Sequence, residues 1–172
     1  MKNVVLVGFP ASGKTTIGRS LAPQLGLNFV DLDTAIEVKY HTTVPQLFKK
    51  YGELVFRKCE YETLSELLQQ DNLLISTGGG APCFKNAMEI INRHSISVYL
   101  KLEENILIKR LRDSRKKRPL TDNLNTSELT QYVHQTLMER APYYEQAHLI
   151  FLENEINDLS ALKEHLLKST RV

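Results

Sequence analysis

Gly8-Phe9-Pro10-Ala11-Ser12-Gly13-Lys14-Thr15 follows the short apolar run Val4-Val5-Leu6-Val7 and opens a stretch of helical spacing. The pattern G-x-x-x-x-G-K-[ST], between a strand and a helix, is that of a loop that cradles phosphates. Each residue type answers a physical need. Glycine at 8 and 13 lets the backbone curl until successive N–H groups point at phosphate oxygens. Lys14 supplies a mobile positive charge for the β- and γ-phosphates, and the Thr15 hydroxyl is a ligand for Mg²⁺. The following helix adds its positive N-terminal end. Ala11, Ser12, Gly13, Lys14, Thr15 and Thr16 are therefore the expected grip on a nucleoside triphosphate. The competing explanation, a glycine-rich turn holding a lysine by chance, leaves the agreement in both type and context unaccounted for.

On either side of this loop, short apolar runs alternate with amphipathic stretches, the pattern of a parallel sheet covered by helices. The expected strands are Val4–Val7, Asn28–Leu32, Leu73–Thr77, Ser97–Leu102 and Leu149–Leu152. Ile17, Leu21 and Leu25 fall on one helical face, and Gly26 reads as a stop. Thr34-x-x-Glu37 reads as a capping box that opens the next helix. A short helix is expected from Val44, a longer one from about Glu53 to Leu68, and others near Glu103–Arg112, Ser127–Glu139 and Leu159–Leu167. Asp113 to Asn125 lacks apolar periodicity and carries four basic residues and one proline. A segment of that length between two helices reads as a lid over the nucleotide.

A chain of 172 residues suits one domain with one core. Hydrophobic residues at 42% and charged residues at 24% are ordinary globular values and oppose disorder. The net charge of +2 is too small to point to nucleic acid or a membrane as the main partner. Cys59 and Cys83 stand far apart with no C-x-x-C pattern, which argues against a disulfide scaffold or zinc site and suits a reducing cytosol. The first apolar run leads straight into the phosphate loop, unlike a signal peptide, and no stretch approaches the roughly 18 apolar residues of a membrane span. A soluble, cytoplasmic protein is expected.

Other residues add chemistry. Asp31 and Asp33 close the second expected strand, where residues two apart project from one face. Ligands of open parallel sheets sit at the carboxyl ends of strands. Asp31 is thus placed to hold Mg²⁺ and Asp33 to accept a hydroxyl proton; the plainer alternative is that Asp33 caps the next helix. Gly78-Gly79-Gly80 lets backbone approach a ligand closely, whereas a simple turn rarely needs three glycines. Arg57 and Glu60, three apart on a helix, are positioned to pair. If buried, Glu60 would hold the guanidinium for a bidentate grip on a carboxylate. Arg140 stands at an expected helix end, where a cation also suits the dipole. Arg112, Arg115, Lys116, Lys117 and Arg118 populate the lid. A solvated charge run explains them equally, but Arg118 before Pro119 has the stiffest position.

The order of these motifs closely resembles the shikimate kinase family over nearly the whole chain. The resemblance rests on G-F-P-A-S-G-K-T, D-L-D at Asp31–Asp33 and V-P-Q-L-F…G-E…F-R-K-C-E ending at Glu60. It continues with T-G-G-G at Thr77–Gly80, R-P-L at Arg118–Leu120 and R-A-P-Y-Y-E-Q-A from Arg140. It implies a P-loop NTPase fold, a three-layer α/β/α sandwich whose five parallel strands run in the order 2-3-1-4-5. A single domain over 1–172 would carry a helical substrate-binding segment at about 33–61 and a mobile lid at about 112–125. It further implies transfer of the γ-phosphoryl group of ATP to the 3-hydroxyl of shikimate, with Mg²⁺; separately, a monomer is expected. On this pattern Asp33 orients the acceptor or takes its proton. Arg57 and Arg140 clamp the carboxylate beside Gly78, Gly79 and Gly80, and Glu60 steadies Arg57. Phe48, Phe56 and Pro10 wall the ring, while Lys14 and Arg118 neutralise the moving phosphoryl group. Thr15 and Asp31 would serve the metal.

Three departures from the pattern stand out. Thr121 follows Arg118-Pro119-Leu120 where many members have a second leucine. The adenine-stacking arginine falls best on Arg112, with Arg110 as the alternative. Glu153-Asn154-Glu155 stand where an arginine often follows the last strand. Two rivals share the phosphate loop: another small-molecule kinase of the same fold, and a GTP-dependent switch. The chain contains neither N-K-x-D nor D-x-x-G, which speaks against the switch.

Overall fold

The computed structural model describes residues 2–114, 121, 124–152 and 159–169. Five strands form one sheet: β1 (Asn3–Val7), β2 (Asn28–Asp31), β3 (Leu73–Ser76), β4 (Ser95–Lys101) and β5 (Leu149–Leu152). Every pairing is parallel and the order is β2-β3-β1-β4-β5, as the resemblance implies. Among the described residues the helices are α1 (Lys14–Leu25), α2 (Leu32–Tyr40), α3 (Val44–Leu67), α4 (Ala87–His94), α5 (Glu104–Arg112), α6 (Thr126–Tyr144) and α7 (Leu159–Ser169). None is long and apolar enough to cross a membrane.

Burial explains why the strands read as they do. β1, β3 and β4 up to Leu100 are buried along their length. Strands covered by helices on both faces are near-continuous apolar runs rather than alternating ones. The edge strands β2 and β5 are more exposed. α1 buries Ile17, Leu21 and Leu25 and ends at Gly26, as expected. α3 contains the two expected helical pieces, separated at Gly52, where φ is 81° and ψ 173°. That left-handed conformation favours glycine and permits a break without ending the helix.

Four local expectations need correction. α2 opens at Leu32, not at Thr34, so Asp33 belongs to its first turn rather than to β2. The cap is Asp31, whose carboxylate accepts from the backbone N–H groups of Asp33 and Thr34 at 3.1 and 3.4 Å. That local bond ends the strand and starts the helix together. Neither a shared strand face nor a cap formed by Asp33 therefore describes the aspartate pair. Glu37 closes no capping box with Thr34; it accepts from Val44 N at 2.9 Å and so braces the start of α3. Third, α6 runs beyond Arg140 through Pro142 to Tyr144. Proline removes one helical hydrogen bond, but Tyr144 is fully buried and anchors the last turn from within. Finally, α4 is an additional helix whose Ala87, Met88 and Ile91 pack inward, and β4 begins two residues before Ser97.

The register creates the crevice. Asp31 pairs with Ser76, and Ser76 pairs with Leu6, so the three stand in one row across the sheet. The chain leaves β1 for Gly8, β2 for α2 and β3 for Thr77-Gly78 at the same end. Three carboxyl-end segments thus open on one space.

Candidate functional site

The phosphate loop has the curl its sequence demands. Ala11 and Gly13 take positive φ of 67° and 99°, the alternation that turns successive N–H groups toward one concave side. Gly13 is the N-cap of α1, with Ile17 N bonded to its carbonyl at 2.9 Å. Lys14 is buried, and its ammonium donates to Gly8 O and Phe9 O at 2.8 Å each and to Ser12 Oγ at 3.3 Å. The charge is thereby held at the mouth of the loop. Arg110 reaches across from α5, its Nη1 lying 3.4 Å from Ala11 O and 3.5 Å from Ser12 O. Arg112 is exposed and pairs with Asp113 at 3.3 Å. Two residues apart on a helix means about 200° of rotation, so only one of these arginines can face the loop.

Beside the loop, Thr15 Oγ1 donates to Asp31 Oδ2 at 2.8 Å and lies 3.3 Å from Ser76 Oγ. A sparse, all-oxygen donor set of this kind fits Mg²⁺, which keeps most of its ligands as water and phosphate. Among the described residues no cluster of three or more histidines, cysteines and carboxylates would cage a metal unaided.

The far wall is built on the three glycines. A Cβ on Gly78 would lie 2.5 Å from Glu60 Oε1, one on Gly79 2.5 Å from Pro10 Cδ, and one on Gly80 would overlap the Arg57 guanidinium. Bare backbone at all three positions makes room for the protein's own side chains. Arg57 donates to Glu60 Oε2 at 2.6 Å and to Glu53 Oε1 at 3.2 Å. Its side chain is 12% exposed and that of Glu60 is 1% exposed. Burial works against the Arg57 charge, but Glu60 and then Glu53 outweigh it and hold its pKa above the ordinary value. Burial pushes the Glu60 carboxyl up to about 7 against the pull of Arg57, and Asp33 adds to the rise. Among the described residues none donates a hydrogen bond to Glu60 Oε1. Phe56 lies beneath the Arg57 guanidinium at 5.1 Å and against Phe48 at 5.9 Å.

These parts share one cavity of about 910 Å³. Its lining includes Pro10, Lys14, Asp31, Asp33, Arg57 and Arg140 from the expected set. Ala11, Gly13, Thr15, Thr16, Gly78, Gly79 and Gly80 border it as well, while Ser12 is buried in the loop beneath. Arg118 and most of the expected lid lie outside the described residues. Ser76, Tyr132 and Tyr144 were not singled out from the sequence. Ser76 had no motif of its own, and Tyr144 was legible only as part of R-A-P-Y-Y. Arg110 had a clearer signal: Leu107 and Leu111 face the core, and Arg110 adjoins that face. The cavity joins a phosphate-gripping end to an end where two guanidinium groups suit a carboxylate.

A family model described as shikimate kinase matches residues 10–170. The shikimate kinase of Bacteroides thetaiotaomicron is 41% identical over 158 residues, which cover 92% of this chain and 90% of that one. That of Parabacteroides distasonis is 41% identical over 166 residues, covering 93% and 96%. Among solved structures, the Bacteroides thetaiotaomicron shikimate kinase matches with a TM-score of 0.89 and 37% identity over 99% of both chains. Shikimate kinase from Acinetobacter baumannii, solved in complex with shikimate, matches with a TM-score of 0.88 and 35% identity over 100% of this chain and 96% of that one.

Proposed function

The chain belongs to the shikimate kinase family and is an ATP-dependent kinase, and from that premise we propose how its own residues perform the transfer. The γ-phosphoryl group of ATP passes to the 3-hydroxyl of shikimate, giving shikimate 3-phosphate and ADP on the way to aromatic amino acids. The observation that carries this assignment is the placing of a phosphate loop and a buried, carboxylate-steadied arginine in the same cavity.

Phosphoryl transfer asks a protein mainly for alignment and charge neutralisation. The loop from Ala11 to Thr16 binds the phosphates through its N–H groups, and Lys14 exchanges its loop carbonyls for phosphate oxygens. Thr15 and Asp31 are the groups that would hold Mg²⁺, which neutralises phosphate charge when bound. Arg57 and Arg140 grip the shikimate carboxylate, with Gly78, Gly79 and Gly80 as the surface beneath. Asp33, in the first turn of α2, borders the cavity beside Gly78 and orients the attacking hydroxyl or takes its proton. As the oxygen–phosphorus bond forms, the bond to the β-phosphate oxygen breaks and the charge leaves with ADP. We assign adenine-side contact to Arg112 or Arg110, with the position of Arg110 over the loop favouring the latter. Arg118 is proposed to close on the phosphates from the lid.

A monomer is proposed as the active unit, since a single cavity of the chain holds both the phosphate loop and the Arg57–Arg140 pair. The two free cysteines, Cys59 and Cys83, suit a cytoplasmic setting. The test is a coupled ADP-release assay on purified protein with shikimate, gluconate and nucleoside monophosphates as acceptors. Shikimate-dependent turnover is expected; turnover confined to another acceptor would end the proposal.

A further inference from the structure

Tyr144 has the largest side chain among those the described residues bury fully. A buried phenol needs a partner for its O–H, and here the hydroxyl donates to Gly79 O at 2.5 Å, 65 residues away in sequence. Its ring packs on Tyr99 of β4 with centroids 5.2 Å apart. Arg140 lies four residues earlier on α6 and hence on the same helical face. Burial raises the phenol's pKa, while the positive charge of Arg140 opposes that rise.

A phenol oxygen has one hydrogen to give and lone pairs to receive. Tyr144 is thus equipped to donate to the Gly79 carbonyl while taking an N–H from Arg140, a combination that no apolar side chain reproduces. Both neighbours belong to the candidate site. Arg140 borders the cavity, and Gly79 presses on Pro10 of the phosphate loop while the adjoining Gly80 carries the Arg57 guanidinium. Tyr144 itself does not line the cavity. Packing alone would be met by a phenylalanine, and it does not explain the bond to Gly79.

We propose that Tyr144 is a positioning residue for the acid-binding end of the site, its hydroxyl setting the direction of the Arg140 guanidinium and of the Gly79 peptide. The inference rests on Arg140 being a ligand of the shikimate carboxylate, as proposed above. Tyr144→Phe keeps the ring and removes only the hydroxyl. Loss of a charge-assisted contact of this kind raises the KM for shikimate about tenfold, with kcat and the KM for ATP within about twofold of the parent.

The test combines Tyr144→Phe, Arg140→Ala and the double variant, assayed by ADP release with each substrate varied in turn. Shikimate binding is also measured by calorimetry well below the melting temperature, which separates binding from stability. In the Arg140→Ala background, Tyr144→Phe adds no further loss, because its effect passes through the guanidinium. A shikimate affinity unchanged by Tyr144→Phe while Arg140→Ala weakens it overturns this inference and leaves the assignment of Arg140 standing. Equal losses in both backgrounds, or a lower melting temperature with unaltered affinity, also overturn it. If Arg140→Ala leaves shikimate affinity intact, the assignment of Arg140 fails and the inference falls with it.

Discussion

Gly80→Ala adds one methyl group and no charge, at a residue whose φ of −91° and ψ of −14° alanine adopts without strain. The methyl carbon would overlap Cζ and both Nη atoms of Arg57. The guanidinium must swing aside, and the 2.6 Å bond from its Nη1 to Glu60 Oε2 goes with it. Glu60 is too deeply buried to turn to water. Removing one partner of a buried charge pair costs roughly 3–5 kcal/mol. Here the partner is displaced rather than deleted, and Glu60 can take up a proton, which puts the loss nearer about 2 kcal/mol. That corresponds to a rise of about 30-fold in the KM for shikimate. The KM for ATP should move by less than about twofold, since the phosphate loop makes no use of Arg57. Initial rates of ADP release with each substrate varied at saturation of the other read both numbers. In an Arg57→Ala background the added methyl should have no further effect. A Gly80→Ala variant with the parent's KM for shikimate would refute the argument that bare backbone at 80 exists to seat Arg57.

Asp33→Asn should lower kcat by about 10²- to 10⁴-fold, the range for a lost general base, and barely move the melting temperature, because the helix cap is Asp31; a large fall in melting temperature with modest loss of rate would return Asp33 to a structural part. Glu60 links binding to pH. As pH falls through about 7 it gains a proton and ceases to hold Arg57 electrostatically; Asp33 and Arg140 face it as well. The KM for shikimate should therefore rise toward acid pH, and Glu60→Gln should flatten that slope in a pH series of rates. For stability the sign is opposite: a carboxyl raised from 4.5 to about 7 adds stability below pH 4.5 and loses it as pH rises through 7. Chemical denaturation of parent and Glu60→Gln across that window checks it. Arg110→Ala should raise the KM for ATP about tenfold, whereas Arg112→Ala, paired with exposed Asp113, should change it less than about twofold; the reverse ranking, read by nucleotide titration, would restore Arg112 as the nucleotide-facing arginine.

Much of the fold follows from patterns confined to a few neighbouring residues. Val4 to Val7 announces a doubly covered strand by its unbroken apolar run, and Gly26 announces the end of α1 by its type alone. α4 escaped because its eight residues carry only Ala87, Met88 and Ile91 as an inward face, too short a pattern to separate from a loop. The aspartate pair was misplaced because a two-residue spacing means one face on a strand and something else at a helix start. A single side-chain bond from Asp31 decided which applied.

What the sequence by itself determined was the chemistry within reach of the local chain: a phosphate loop between strand and helix, an arginine and a glutamate one helical turn apart, and the alternation that builds a parallel sheet. The tertiary structure alone decided which arginine of α5 meets that loop, why three glycines must stand together, and how far Glu60 departs from an ordinary carboxyl. It alone joined Tyr144 to Gly79. Those outcomes depend on burial and on distances between residues far apart in the chain. No periodicity encodes them, because a dielectric environment and a steric overlap exist only once separate segments have packed against one another.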